Sequence, residues 1–161
     1  MKIIKEQVIF EPGKSFKLFA PSLRNYFFWH YHPEIELVYV EALTGIRHVG
    51  KNIASYLSSD LVLIGSNVPH LNFDYGVQTD YKQIVVQFKV NFFEDLIKSN
   101  IEFDAIRLLF EKAYLGLTFS GLTKELVASK LKLLQQKNNF DSLLSLLEIL
   151  NILALSKDRK S

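Results

Sequence analysis

The chain has 161 residues, of which 48% are hydrophobic and 22% charged, so it can form one domain with a substantial core. Its 19 basic and 17 acidic residues leave a formal charge of +2, which excludes a strongly basic nucleic-acid-binding segment. The lack of cysteine excludes disulfide scaffolds, thiolate zinc sites and cysteine nucleophiles. Without an export signal at Met1–Gln7 or a long apolar run, the sequence predicts a cytoplasmic protein with no membrane span.

Residues 1–90 have the pattern of short β-strands. Runs of β-branched and aromatic residues alternate with turn residues. The predicted strands are Gln7–Phe10, Lys17–Ala20, Tyr26–Tyr31, Ile35–Glu41, Ile46–Val49, Leu61–Ile64, His70–Phe73 and Tyr81–Val90. Turns are expected at Thr44-Gly45 and Ser58-Ser59-Asp60, among others. About eight short strands at this spacing predict a β barrel or jelly roll, because one open sheet of that size would leave exposed edges.

Residues 91–161 have the pattern of helices. Asn91-Phe92-Phe93-Glu94 has the spacing of a capping box, which predicts a helix start. Further helices are predicted at Asp104–Leu115, which Gly116 ends, and at Leu122–Gln136 and Ser142–Ser156. We therefore predict a barrel over residues 1–90 followed by a helical segment over residues 91–161.

The last predicted helix is apolar almost all round, which indicates burial on more than one side. It is either sandwiched inside this chain or part of a dimer interface. A homodimer is favoured, because a small domain has little with which to cover both sides. The expected interface residues are Leu143, Leu146, Leu147, Leu150 and Leu153.

Histidines carry the main chemical signal, and all four lie between residues 30 and 70. His30, His32 and Glu36 have the same parity, so in an extended chain their side chains lie on one face. His70 follows a glycine-containing turn after a predicted strand. Imidazole and carboxylate groups are ligands for zinc, iron, nickel and manganese. These residues therefore indicate either a metal site or a buried hydrogen-bonding network.

Four further residues lie near this pattern in the sequence, and two of them have more than one interpretation. Glu34, which follows Pro33, is expected to face solvent, whereas His48, alone on another strand, is expected to be structural. Arg47 is either an anchor for an anionic or hydroxylated effector or part of a surface salt bridge. Trp29 is either a core residue or a wall on which a ring stacks.

The spacing His-x-His-x-x-x-Glu, followed about 30 residues later by Gly…Pro-His, resembles the two motifs of cupins. This resemblance implies a metal held inside the barrel by His30, His32, Glu36 and His70. Residues 28–37, 59–70, 113–121 and 143–150 together resemble, in the same order, the sensor domain of AraC-type transcriptional regulators.

The AraC-type resemblance implies a domain that binds a small-molecule effector and dimerises, and that is not an enzyme. The effector would contact His30, His32, Glu36, Arg47, His70 and Trp29. The signal would pass through the C-terminal helices to a DNA-binding helix-turn-helix domain, expected after residue 161. The alternative is a metal-dependent cupin enzyme, a dioxygenase or isomerase. Against it are the helical last third and the lack of an obviously placed general base.

Overall fold

The computed structural model describes residues 2–24, 28–92 and 94–161. The strands in this part of the chain are β1 (Ile4–Lys5), β2 (Phe16–Phe19), β3 (His30–Tyr31), β4 (Ile35–Val49), β5 (Asn52–Ile64), β6 (Lys82–Phe88), β7 (Leu117–Phe119) and β8 (Arg159–Lys160). The α-helices are α1 (Glu94–Ser99), α2 (Asp104–Lys112), α3 (Gly121–Leu134) and α4 (Asn139–Leu155).

Six of the strands form one antiparallel sheet in the order β2-β6-β4-β5-β7-β8. The other two, β1 and β3, form a short parallel pair. His70 connects the two groups through bridges to His30 and Val49. The described strands therefore form a mostly antiparallel β structure with helices, as expected.

A long hairpin, β4–β5, replaces several of the short strands expected from the sequence. The turn expected at Thr44-Gly45 is wrong, because β4 continues through it with a register shift between Ala42 and Thr44. Gly45 is needed there because a Cβ would lie 2.1 Å from the ring of Tyr56, its partner on β5. The turn expected at residues 58–60 is also wrong, since these residues lie within β5.

Three other expected strands also differ. Residues 7–10 form no strand, and His70–Phe73 contributes only the isolated bridges of His70. The expected strand Tyr26–Tyr31 is reduced to His30–Tyr31 in the described residues, and Tyr26 and Phe27 lie outside them. Strands with few backbone partners carry only a weak local signal, because pairing with distant residues decides whether they form.

The sheet is apolar on both faces, and each face packs against different residues. Alternate residues of β4, such as Leu37 and Tyr39, point towards the helices and form one core with them. The residues between them, such as Val38 and Val40, point into a second core formed with the loop between β5 and β6. We call these the outer and the inner face. Burial of both explains the near-continuous apolar run of β4.

The helical predictions are largely confirmed. α2 is extended by a 3₁₀ turn over Ala113–Leu115 and ends at Gly116, whose φ of 79° favours glycine. The expected capping box includes Phe93, which lies outside the described residues. β7 and β8 come from the second part of the chain but join the sheet, so residues 1–90 and 91–161 share one sheet and one core. No described helix is long and apolar enough to cross a membrane.

α4 is covered largely by this chain itself. Leu146, Leu150 and Leu153 are fully buried in the outer-face core, packed with residues of α2 and α3. Their expected place in a dimer interface is therefore corrected, because they present no surface to a second chain. Leu143 and Leu147 are half-buried. Dimerisation itself stays a prediction.

Candidate functional site

A cavity of about 60 Å³ lies against the inner face of the sheet. Water needs at least about 10–15 Å³ of such space, so the cavity has room for roughly four waters or a small ligand. Polar groups gather at two places in its wall, one around the histidines and one around the loop between β5 and β6. The polar residues lining it are Glu6, His30, Glu36, His70, Asn72, Asp74, Gln83 and Gln87.

Three buried imidazoles converge beside this cavity. Their Nδ1 atoms each lie 2.8–3.0 Å from a backbone carbonyl oxygen, of Phe28 for His30, Glu34 for His32 and Val68 for His70. A carbonyl oxygen only accepts hydrogen bonds, so each Nδ1 carries the proton and a neutral ring has its lone pair at Nε2. Backbone bonds between His70 and His30 hold the two rings together.

Glu36 joins this cluster from β4. Its Oε2 lies 3.0 Å from His32 Nε2 and accepts a hydrogen bond of 2.8 Å from Gln87 Nε2 on β6. Its Oε1 lies 3.6 Å from His70 Nε2. Glu36 and Gln87 are directly paired across the two strands, so the sheet register fixes this contact.

Two further carboxylates lie near the rings. Glu6 Oε2 is 3.7 Å from His32 Nε2 and 3.9 Å from His30 Nε2. Glu34 is 8% exposed, with Oε2 at 3.7 Å from His32 Nδ1. The expectation that Glu34 faces solvent is wrong, because Glu34 has the same parity as His32 and Glu36 and its carboxylate lies beside the His32 ring.

The pKa values of two of these histidines are shifted in opposite directions by their surroundings. Burial, together with the charge of His70, lowers the pKa of His30 to about 4. Burial alone would also lower the pKa of His32, but the hydrogen bond and charge of Glu36 outweigh it and raise that pKa. Burial opposes ionisation of Glu36, yet the hydrogen bond with His32 and the nearby ring of His70 hold its pKa well below the usual range. Burial raises the pKa of Glu6.

The cluster fits a divalent transition metal. One ligand nitrogen from each of His30, His32 and His70 lies within 4.8 Å of the others. Two nitrogens bound to one tetrahedral ion at about 2.1 Å lie about 3.4 Å apart, so ring movements of up to about 1 Å would bring the three together. His70 Nε2 and Glu6 Oε2 are buried without a hydrogen-bond partner. Nδ1–H bonds to carbonyl groups are the usual support for ligating histidines.

A second polar cluster contains Asn72, Asp74 and Gln83. Asp74 has no exposed surface, and its Oδ2 accepts hydrogen bonds of 2.7 Å from Leu23 N and Tyr81 Oη. Its Oδ1 is buried without a partner, as are Gln83 Oε1 and Asn72 Nδ2. Buried polar atoms normally have partners, so these atoms mark a place where a ligand or water completes the bonding.

Two expected ligand contacts need correction. Arg47 does not line this cavity; its Nη1 donates to both carboxylate oxygens of Asp60, at 2.6 and 2.7 Å. Trp29 is also outside it and packs on His48 with ring centroids 4.5 Å apart. Phe28 forms the aromatic wall instead, stacked 4.4 Å from His30. Phe28 has the same parity as His30, which could have indicated this.

The sequence argument missed Glu6, Asn72, Asp74 and Gln83. Only Gln83 had a usable signal, because it shares parity on β6 with Gln87, opposite to the apolar outer-face residues. The other three lie outside the regular strands and reach the cavity through contacts with distant residues.

The sequence matches no protein-family model and no curated protein. Two solved structures of ToxT from Vibrio cholerae are similar to this chain. The first, from strain O395 and bound to (E)-4-(8-methylnaphthalen-1-yl)but-3-enoic acid, is 17% identical with a TM-score of 0.48, over 84% of this chain and 54% of ToxT. The second, in the P21 crystal form, is 16% identical with a TM-score of 0.47, over 83% and 53%.

This chain therefore spans about half the length of the ToxT chains that it matches.

Proposed function

We propose that this chain is the ligand-sensing domain of an AraC-type transcriptional regulator. A small-molecule effector binds in the inner-face cavity, and the helices pass the signal to a DNA-binding domain outside this chain. The observation that carries the proposal is the convergence of three buried imidazoles and Glu36 on a cavity whose wall contains several unpartnered polar atoms. Such a cavity is built for a ligand rather than for stability, because unpartnered buried groups are costly.

His30, His32, Glu36 and His70 would hold a divalent transition metal, whose choice among zinc, nickel, iron and manganese is open. When bound, the ion would supply a positive charge and a coordination position towards the cavity. The protein's own groups orient the site: the carbonyl groups fix the three rings, and Gln87 fixes Glu36. Glu6 lies at the edge of the cluster and would contact either the ion or the effector.

A short path of covalent bonds and hydrogen bonds connects the cavity to the helices. The loop that carries His70 begins at Gly65, whose N donates to Ala113 O at 2.9 Å at the end of α2. The fit is tight, since a Cβ on Gly65 would lie 2.7 Å from that oxygen. A change in the position of His70 can therefore shift the population of loop and helix arrangements together.

Metal content tests the histidine cluster. Protein purified without chelator or metal-affinity tags should contain near-stoichiometric metal, and His32→Ala and His70→Ala should lose most of it. His48→Ala is the matched control, because His48 packs on Trp29 away from the cavity and should retain wild-type content. Equal metal content in all three variants would refute the metal site.

Signal transmission is tested by hydrogen exchange. A molecule that binds in the cavity, detected through the fluorescence of Trp29, should change the protection of α2–α4 amides as well as those of β4 and β6. Gly65→Ala should keep binding but weaken the change in the helices. Binding that leaves the helices unaltered would contradict a sensing role.

Dimerisation would use the accessible apolar side of α4, including Leu143 and Leu147 and the 46%-exposed Leu144. Sedimentation analysis should show a dimer that Leu144→Glu dissociates. Leu57→Glu is the control, since Leu57 is 76% exposed on β5, away from α4. A wild-type monomer at all concentrations would refute a dimer of this chain.

The alternative, a metal-dependent cupin enzyme, gains one observation. Glu6 lies 3.7–3.9 Å from two ring nitrogens and has a raised pKa, so it could act as the general base that the sequence did not reveal. Oxygen consumption or isomerisation by the metal-loaded protein with a substrate panel, abolished in Glu6→Gln, would support this function over sensing.

A further inference from the structure

The second polar cluster contains a buried carboxylate that lacks a counter-charge. Asp74 is fully buried and forms no salt bridge with any described residue. Leu23 N and Tyr81 Oη, its two donors, both bind Oδ2 and are neutral. Oδ1 lies in the cavity wall without a partner. A buried charge without compensation is strongly unfavourable, so this position calls for a cation.

The protein itself does not supply that cation. Among the described residues that line the cavity there are three carboxylates, Glu6, Glu36 and Asp74, and no lysine or arginine. The neighbouring Arg24 is directed elsewhere: its Nη1 donates to Thr79 O at 3.2 Å, and its guanidinium lies over the ring of Tyr81. The part of the cavity around Asp74 therefore has no positive partner among these side chains, so a cationic group is favoured there over an anionic one.

The neighbouring unpartnered atoms define the shape of the missing group. Gln83 and Asn72 also line this cavity: Gln83 Oε1 is a second buried acceptor without a partner, and Asn72 Nδ2 is a buried donor without one. An ammonium group has three N–H donors and can bind a carboxylate and an amide oxygen together. The remaining donor, on Asn72, would bind an oxygen of the same ligand.

We infer that the effector is a small hydroxylated amine, whose ammonium group binds Asp74 and Gln83. This inference rests on the proposed sensing function and gives its effector a chemical class. The cavity volume of about 60 Å³ limits the ligand to a few non-hydrogen atoms. Gln83 is four residues from Gln87 on the same face of β6, about 13 Å along the strand, so the ammonium position is separate from the histidine cluster.

The test compares three molecules that share a two-carbon skeleton but differ in charge. Ethanolamine is cationic, ethylene glycol is neutral and glycolate is anionic. Binding to the full chain is followed by calorimetric titration and by thermal unfolding, at one ionic strength. Ethanolamine should bind at least tenfold more tightly than the other two. This comparison needs no variant and is therefore independent of any folding defect.

Variants then locate the ammonium group. Asp74→Asn should weaken ethanolamine binding at least tenfold, while raising the Tm of the ligand-free protein by a few degrees because the uncompensated charge is gone. Asp80→Asn is the matched control, since Asp80 is exposed and does not line the cavity. It should bind ethanolamine as the wild type does.

Several results would overturn the inference: glycol or glycolate binding as tightly as ethanolamine, no binding by any of the three, or undiminished binding in Asp74→Asn. Tight binding of glycolate that changes the hydrogen exchange of the helix amides would contradict an amine as the effector class, but it would still support the sensing function. Ethanolamine binding at Asp74 with no response in the helices would instead support the binding site and remove the sensing function.

Discussion

The two faces of the sheet are built from alternate residues of the same strands, yet they have opposite properties. The outer face is apolar and packs against four helices. In this core Leu37 of β4 and Leu150 of α4 are fully buried. The inner face mixes apolar residues with buried carboxylates, imidazoles and amides, several without partners. The difference indicates that stability comes mainly from the outer face, whereas the inner face contains buried polar groups that are unfavourable for stability.

Truncation of the outer-face core should have the largest effect. Leu150→Ala removes a fully buried side chain and leaves a cavity, so the free energy of unfolding should fall by about 2–5 kcal/mol. Leu155→Ala, on the same helix but 66% exposed, should change it by less than about 0.5 kcal/mol. Urea denaturation measures both. Equal losses would mean that α4 is not packed as described.

On the inner face, Gln87→Leu should be destabilising by about 1–3 kcal/mol. The amide of Gln87 donates to Glu36 Oε2, and its removal takes a hydrogen bond from a buried carboxylate. Urea denaturation of the metal-free protein gives the value. A neutral effect would show that Glu36 is already satisfied by His32 alone.

Gln83→Leu should have a smaller effect of the opposite sign. The same substitution, four residues earlier on the same face, removes a buried acceptor that has no partner. We expect a gain of up to about 1 kcal/mol in the free energy of unfolding, together with weaker ethanolamine binding. A clear loss of stability would show that Gln83 Oε1 has a structural partner, such as an ordered water.

The smallest effect should come from the ion pair that joins β4 to α3. Lys132 Nζ lies 2.8 Å from Glu41 Oε2, and this bond, with that from Tyr39, lowers the pKa of Glu41 below its ordinary 4.5. A lowered folded-state pKa contributes stability above the unfolded-state value, and the contribution is lost as the pH falls below it. Because both side chains are substantially exposed, the contribution should be only a few tenths of a kcal/mol.

Lys132→Met is the variant that measures this contribution. Its free energy of unfolding should fall short of the wild type at pH 7 and converge with it near pH 3. Added salt should reduce the difference at pH 7. A difference that grows as the pH falls would contradict the assigned sign.

Local signals explain which parts of the fold the sequence predicted. α2, α3 and α4 lie close to their expected bounds because helices depend on neighbouring residues, as at the Gly116 stop. The hairpin β4–β5 was missed because Gly45 has the composition of a turn, whereas its real role is to accommodate the ring of Tyr56 across the sheet. That contact joins distant residues and leaves no local pattern.

The same limit applies to the site. The parity of His30, His32 and Glu36 and the turn before His70 indicated residues that the fold does bring together. Arg47 and Trp29 were misplaced, although the parity of Trp29 was opposite to that of His30. Glu6 and Asp74 were missed because long-range contacts, such as Leu23 N with Asp74, bring irregular segments to the cavity.

The alternation along β6 has a consequence for how such a domain can change. Gln83, Val85 and Gln87 face the cavity, whereas Ile84, Val86 and Phe88 belong to the helix-facing core. Cavity chemistry and core packing are therefore encoded at different positions of one short segment. Replacing the three cavity positions alone would therefore alter the wall of the cavity and leave the packing of the helix-facing core in place.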